Sequence, residues 1–519
     1  MNPTSLLTKG AQIYGDRVAF ACGERKQTFA ELHERANRLA NALREAGIEK
    51  GERVAVLSDN AFEALEQVAG LAVGGFVRCA LYAHEPAEKN LYLLRLTGAS
   101  ALLVQDKHYA TIAPVLAEAP DVRVVFVIGE APEGTLGYEA ELASASPAEP
   151  RVPWSPEDPH VIRFSSGTTG KPKGILHTAR GWLDMGTEFA LALGGFTSEE
   201  RYLAATPFSH AAGLVAWPLI AVGATSVVMP SFDPASWLDI VERERITFGM
   251  LAPTMIHMVV DHPGVDQRDV SSLRTMLYGS APISETTLVA ALGLWGNIMY
   301  QTYGQSEAMP ITCLTPENHV IDDGDEQRGL LRSAGRPTPN SIVRIVDDEG
   351  NDLPSGEIGE VVSLTPGAMH GIWGDPDATA ERLLPGGWLR TRDMGWLSKD
   401  GFLFLADRKE DMIISGGFNI WPVELENALA AHPAVAEVSV VGIPHPKWGE
   451  TPHAAVVLRE AATVTERELI EWSREKVGSV KKITGVTFTE SLPRTPIGKV
   501  LRRVVREQYV GDTPRIAGA

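Results

Sequence analysis

Apolar positions in the first third of the chain change period repeatedly. From Thr28 to Ala46 they recur at helical spacing, Arg53 to Leu57 is a short apolar run, and Ala61 to Val73 is helical again. Ala101 to Val104 and Val122 to Val127 are runs of strand length. Strands alternating with helices predict a parallel, doubly wound sheet. Gly129 to Pro159, rich in Ala, Glu, Ser and Pro, reads as a surface connection. It leads into a strand at His160 to Phe164, a Gly/Ser/Thr loop, and a helix from about Ala179. That order fits phosphate capture at the carboxyl edge of a sheet. Ser341 to Val346 and Gly359 to Ser363 read as strands around the turn Asp347 to Gly356, a β-rich subdomain. The charged run Asp407 to Asp411 separates the apolar segments Phe402 to Ala406 and Met412 to Ser415. The expected organisation is therefore α/β. A large N-terminal domain, residues 1–406, holds the doubly wound sheets and the β-rich subdomain. A hinge at 407–410 precedes a small, mobile α+β C-terminal domain at 411–519.

Composition adds bounds. A chain of 519 residues is too long for one core, and 44% apolar with 22% charged residues describes an ordinary globular protein. The longest apolar run, Leu214 to Pro230, is interrupted by Pro218, Gly223, Thr225 and Ser226, which suits buried strand and helix rather than a membrane span. Met1 to Ala11 lacks a basic region followed by an apolar one, and Arg515 to Ala519 carries no address, so a cytoplasmic location is expected. Cys22, Cys79 and Cys313 are too far apart for a disulfide framework or a metal spacing and read as small buried hydrophobes. The net charge of −19 argues against nucleic acid or an anionic membrane as partner. Residues 411–519 hold 13 basic and 13 acidic residues, so the excess of acid lies upstream. Arg474 to Arg506 carries nine basic residues against Glu475 and Glu490, which suggests an anionic small molecule as ligand, a solvated helix face being the alternative.

The densest chemistry lies in Phe164-Ser165-Ser166-Gly167-Thr168-Thr169-Gly170-Lys171-Pro172-Lys173-Gly174. Glycines bring main-chain N–H groups close to an anion, hydroxyls donate further hydrogen bonds, and Lys171 and Lys173 add mobile positive charge. These properties suit a polyphosphate, and so ATP. The loop is not a Walker A motif, which needs Gly where Ser165 stands and Ser or Thr where Pro172 stands.

Three further segments follow in order: Tyr303-Gly304-Gln305-Ser306-Glu307, then Thr391-Arg392-Asp393-Met394-Gly395 with Asp407-Arg408, then Pro493 to Lys499. Together with the loop they resemble the adenylate-forming superfamily of acyl- and aryl-CoA synthetases, carrier-protein adenylation domains and beetle luciferase, over essentially the whole chain. The resemblance implies that Tyr303 stacks on adenine and that Gly279-Ser280-Ala281-Pro282 lines the other side of the base. Base stacking on an aromatic ring contributes about 1–3 kcal/mol. Glu307 is a hard oxygen ligand suited to phosphate-bound Mg2+, with Ser306 beside it as a donor to phosphate. Asp393 and Arg408 are implied at the ribose hydroxyls. Lys499 is implied as the catalytic cation joining the acid's carboxylate to the α-phosphate, delivered into the site from another domain. Glu410 stands at the family's pivot, where Asp or Lys is usual.

The acid is implied to sit beside His210, in Pro207-Phe208-Ser209-His210-Ala211-Ala212-Gly213, within an apolar slot that includes Ala211, Gly213, Gly279, Gly304 and Met309. No Asp stands between Pro207 and Gly213 to pair with an α-ammonium group, which disfavours an amino acid as substrate. Gly416 and Gly417, with Trp448, are implied to line a tunnel for a pantetheine thiol. The run Val477 to Lys482 lacks the aromatic residue and the proline common in CoA-using members. The reading is thus a Mg-ATP-dependent ligase passing the acyl group to CoA. A carrier-protein thiol or an amine, including diazotisation through activated nitrite, is the alternative acceptor. A non-catalytic nucleotide sensor is disfavoured by the presence of both Lys499 and Glu307. Arg78 to His84 differs from the family's usual run, and the resemblance supplies no role for it.

Overall fold

The computed structural model describes residues 2–165, 171–208, 211–319, 321, 329–408, 411–416, 418–494 and 500–510, and for Asp407, Arg408, Asn419 and Val480 the backbone alone. The chain divides into two compact units. One comprises Met1–Ser280, Val289–Val343 and Ser363–Arg390, the other Ala281–Leu288, Arg344–Val362 and Thr391–Ala519.

The first unit holds two large sheets among the described residues. The eight-stranded sheet runs Gly371–Ile372, Lys173–Thr178, Pro159–Ser165, Val77–Ala80, Arg53–Leu57, Ala101–Gln105, Val124–Ile128 and Leu136–Gly137. The nine-stranded sheet runs Arg336–Pro337, Ala308–Leu314, Met299–Gln305, Thr275–Gly279, Phe248–Leu251, Arg201–Ala204, Thr225–Val228, Val18–Cys22 and Arg25–Thr28. Each is parallel through its middle, and each ends in an antiparallel hairpin. Helices cover both faces of the eight-stranded sheet. Ala55, Cys79 and Ile162 pack into one core, and Val54, Val56 and Leu103 into another, as a doubly wound sheet requires. Local chemistry sets the elements: helix Phe29–Glu45 begins with a capping box, Thr28 Oγ1 accepting from Glu31 N at 3.2 Å and Glu31 Oε2 from Thr28 N at 2.7 Å.

The four-stranded sheet Ile342–Val346, Gly359–Leu364, Leu389–Leu397 and Leu403–Arg408 is the β-rich element expected from the sequence. In the second unit a five-stranded sheet is built around the long hairpin Val435–His445 and Gly449–Leu458. Helix Pro422–Ala430 and helix Glu466–Lys481 supply Leu425, Leu429 and Leu469 to its core. The fold is α/β with mixed sheets, a large unit and a smaller one. Among the described residues no helix is long and apolar enough to cross a membrane.

Three expectations need correction. Gly129 to Pro159 is not bare connection, since it contains strand Leu136–Gly137 and helix Tyr138–Ser144, whose Tyr138 and Leu142 are buried. Cys22 is only partly buried, unlike Cys79 and Cys313. The helix expected from about Ala179 is present, but the strand that stands between it and the Gly/Ser/Thr loop was not expected. Lys173–Thr178 is a strand antiparallel to Pro159–Ser165, and helix Ala179–Ala192 starts after it. The apolar run at Gly174 to Leu176 crosses a buried layer rather than beginning a helical stripe.

Candidate active site

The polyphosphate loop is therefore the tip of a hairpin whose last cross-strand pair is Ser165 with Lys173. Its base is fixed from outside: Tyr82 Oη donates to Phe164 O at 3.0 Å, Tyr92 Oη to Pro172 O at 3.1 Å, and Trp373 N to Gly174 O at 2.7 Å. Lys171 is exposed, and Lys173 Nζ lies 3.6 Å from Asp375 Oδ2. Ser166, Gly167, Thr168, Thr169 and Gly170 lie outside the described residues.

Tyr303 to Gln305 end strand Met299–Gln305, and Ser306 with Glu307 makes the corresponding turn in the nine-stranded sheet, before Ala308–Leu314. Two different motifs thus occupy the same architectural position, the hairpin where a parallel sheet turns antiparallel. Gly304 must be small, because a Cβ there would stand 2.6 Å from Met309 Cβ. Gly279 pairs with Thr302 on the adjacent parallel strand, and Ser280 follows with φ of 71°, a left-handed conformation uncommon outside glycine. Ala281 and Pro282 continue that segment.

Glu307 is buried. Its Oε1 accepts from Arg382 Nη1 at 3.3 Å, while Arg382 Nη2 donates to Gln305 Oε1 at 2.9 Å and its Nε to Arg390 O at 2.7 Å. His177 Nε2 lies 2.8 Å from Ser306 O. Arg382 escaped the sequence reading because its partners lie 75 and 77 residues away and no motif marks it. Glu307 Oε2 has no protein donor among the described residues, and no cluster of three or more His, Cys, Asp or Glu is present among them. A single hard oxygen of this kind fits Mg2+ that keeps its waters and its phosphate ligands, not a closed protein cage.

Asp393 and Arg408, far apart in sequence, are cross-strand partners in the register of Leu389–Leu397 with Leu403–Arg408. Asp393 N donates to Thr391 Oγ1 at 3.1 Å, Thr391 Oγ1 donates to Val361 O at 2.7 Å, and Arg392 takes φ of 60° with its N–H on Glu360 Oε1.

Around the acid candidates, Gly213 is buried, Ala211 is partly buried, and Phe208 N donates to Asn60 Oδ1 at 2.9 Å. Met309 Sδ accepts from Arg163 Nη1 at 3.2 Å. Among the acceptor candidates, Gly416 has φ of 57°, and a Cβ on it would meet Trp448 Cε3 at 2.7 Å. Its N–H donates to Trp448 O at 2.8 Å, and Trp448 remains 46% exposed with Lys447 Nζ 4.5 Å from its ring centroid. His210, Glu410, Gly417 and Lys499 lie outside the described residues.

The basic run at 474–506 meets carboxylates of its own unit. Lys481 Nζ is 2.9 Å from Glu424, Arg494 is 2.6 Å from Glu437, and Arg506 is 3.8 Å from Glu450. Arg502 donates to Glu426 at 3.0 Å and lies 3.3 Å from Asp411. These four side chains are thus paired within their own unit, which is neither the ligand site nor the solvated face expected from the sequence. In the Val477 to Lys482 run, Gly478 at φ 83° interrupts the helix.

Residues 7–373 match the AMP-binding enzyme family, and residues 424–499 match the AMP-binding enzyme C-terminal domain. The medium/long-chain-fatty-acid–CoA ligase FadD8 of Mycobacterium tuberculosis is 35% identical over 99% of this chain and 91% of its own. The feruloyl-CoA synthase of an Amycolatopsis species is 36% identical over 93% of this chain and 94% of its own. Among solved structures, the amide bond synthetase McbA from Marinactinospora thermotolerans superposes with a TM-score of 0.88 at 31% identity, covering 98% of this chain and all of that one. The chain belongs to the AMP-binding enzymes and is an adenylate-forming acid ligase.

Proposed function

We propose that this ligase uses Mg-ATP to activate a small carboxylic acid and then transfers the acyl group to the thiol of CoA. In the first step a carboxylate oxygen attacks the α-phosphorus, the bond to the β-phosphate oxygen breaks, and pyrophosphate leaves. In the second step the thiol sulfur attacks the acyl carbon, the thiol proton is released, and AMP departs. Phosphoryl chemistry of this kind asks the protein mainly for positioning and charge neutralisation.

The 165–174 hairpin tip, with Lys171 and Lys173, is the proposed holder of the leaving pyrophosphate. Tyr303 with Gly279 to Pro282 is proposed for adenine, Ser306 for phosphate, and Asp393 with Arg408 for the ribose. Glu307 would hold Mg2+, which supplies neutralising charge to the phosphates. Lys499 is the proposed catalytic cation, His210 a neighbour of the reacting carboxylate, and Glu410 the pivot between half-reactions. Cytoplasmic location remains part of this proposal.

The observation that carries the CoA assignment is the contact of Gly416 with Trp448. An exposed indole with Lys447 over its ring offers a thiol-bearing, anionic co-substrate an aromatic surface and a cation beside residues of the proposed tunnel. A second reading, transfer to an amine or carrier-protein thiol, is supported by the glycine break at Gly478 and by the likeness to an amide bond synthetase. Pyrophosphate release screened over aryl, acyl and inorganic acids, each with and without CoA, separates the two. Acid-dependent release accompanied by a CoA thioester is expected. Release without thioester, in the presence of CoA, would overturn the acceptor assignment and leave the adenylation intact.

A further inference from the structure

Arg78 and Arg163 enter the same layer of the first unit. Strand Val77–Ala80 runs parallel to Pro159–Ser165 with Arg78 opposite Val161, and the two-residue period of a strand puts Arg163 on the same face as Val161. Their neighbours Cys79 and Ile162 pack into the core on the other side. Both arginines are at least nine-tenths buried.

Neither guanidinium has a carboxylate within ion-pair distance among the described residues. Arg78 Nη1 reaches only the Phe208 carbonyl, at 3.4 Å, and Arg163 Nη1 only the Met309 sulfur, at 3.2 Å, with the Trp182 ring 6.0 Å away. The neighbouring buried carboxylate, Glu307, is ion-paired with Arg382; it lies beyond ion-pair distance of Arg163, although its charge partly offsets the effect of burial there. The other titratable groups here supply no negative charge. Burial drives His160 and His177 down to about 3, and Tyr82, pushed up to about 12, gives its proton to the Phe164 carbonyl. Burial, and for Arg78 repulsion by Arg163, lowers both guanidiniums to about 10, so each is still charged at neutral pH.

A buried charge normally carries a partner, because desolvation is otherwise uncompensated. Arg382 in the same unit has one. The neighbours of Arg78 and Arg163 are residues of the proposed acid pocket: Arg78 Nη2 lies 3.5 Å from where a Gly213 Cβ would stand, and Arg163 touches Met309.

We propose that Arg78 and Arg163 are a specificity-determining anion pair, and that the preferred substrate is a dicarboxylic acid whose second carboxylate they bind while the first is adenylated. This rests on the adenylation reading above. A free carboxylate supplies the missing counter-charge and accepts the unused N–H donors, in the geometry at which guanidinium is most selective. A plain alkyl or aryl acid would leave both charges uncompensated.

The test is a matched series of α,ω-dicarboxylic and monocarboxylic acids of equal length. ATP–pyrophosphate exchange and direct calorimetric binding are measured on the native protein, Arg78→Met and Arg163→Met. Methionine keeps the volume and removes the charge, so unliganded thermal stability is expected to hold or rise. The native protein is expected to favour one dicarboxylate by about tenfold or more in kcat/KM, and each variant to lose that preference by a similar factor. Native preference for monocarboxylates overturns the proposal. So does an equal fall for both acid classes in the variants, which would assign the guanidiniums to the reacting carboxylate. If no acid supports exchange, the adenylation reading fails instead, and calorimetry with the dicarboxylates alone still decides whether the pair binds them.

Discussion

Two sets of basic side chains behave in opposite ways. In the 474–506 segment, where the sequence concentrates positive charge, Lys481, Arg494, Arg502 and Arg506 are all held by carboxylates of their own unit. At Arg78 and Arg163, where the sequence shows isolated arginines in apolar strands, the guanidiniums are buried without an ion-pair partner. Density of charge along a chain thus says little about charge available to a ligand. What counts is whether the fold supplies the counter-ion, and that depends on contacts between distant segments.

The largest effect that would sharpen this contrast concerns Lys499, the proposed exception in the basic segment. If Arg502 and its neighbours hold the fold while Lys499 does chemistry, Lys499→Ala should lower acid-dependent pyrophosphate exchange by about 10² or more and leave ATP binding and thermal stability near native. Near-normal exchange would put Lys499 with the structural set.

Next in size is a pair of matched replacements. Arg382→Met leaves Glu307 buried without its ion-pair partner, which costs about 3–5 kcal/mol. Arg78→Met removes an uncompensated charge and should be neutral or stabilising by about 1–4 kcal/mol. The denaturant midpoint of Arg382→Met should fall while that of Arg78→Met holds or rises. Movement together would show that Arg78 has a compensating partner after all.

The same layer sets an acid limit. His160 and His177 are neutral in the fold because burial depresses them to about 3, and both titrate near 6.5 when unfolded. Below pH 6.5 the unfolded chain therefore binds more protons than the folded one, and stability falls with pH until about pH 3. Repulsion from Arg78 contributes to the His160 depression, so Arg78→Met should flatten this decline. Melting temperature across pH 4 to 7 for native and variant protein measures both slopes.

Much of the fold was legible in the sequence. Thr28 to Ala46 and Arg53 to Leu57 emerge within a residue of their predicted bounds, because capping residues and apolar period are local signals. The strand at Lys173–Thr178 was hidden by its neighbours: the lysine- and glycine-rich loop before it and the helix after it left six residues with no period of their own. The site divides the same way. Motif residues Tyr303, Glu307 and Asp393 are named by short patterns, and the cross-strand pairing of Asp393 with Arg408 agrees with reading them together. Arg382, Arg78 and Arg163 are not, since a lone arginine becomes informative only when its surroundings are known.

The smallest expected effect probes a cation in the second unit whose described partner is an aromatic ring. Lys447 Nζ stands 4.5 Å from the Trp448 ring centroid, and that ring packs on Gly416. Exposed cation–π contacts contribute only about 0.5–1 kcal/mol, so Trp448→Ala should change stability little. If the indole and ammonium receive CoA, the variant should raise KM for CoA several-fold while pyrophosphate exchange, which precedes thiol transfer, stays near native. A fall in exchange of the same size would mean that Trp448 supports the fold of this unit, and the acceptor assignment would lose the observation that carries it.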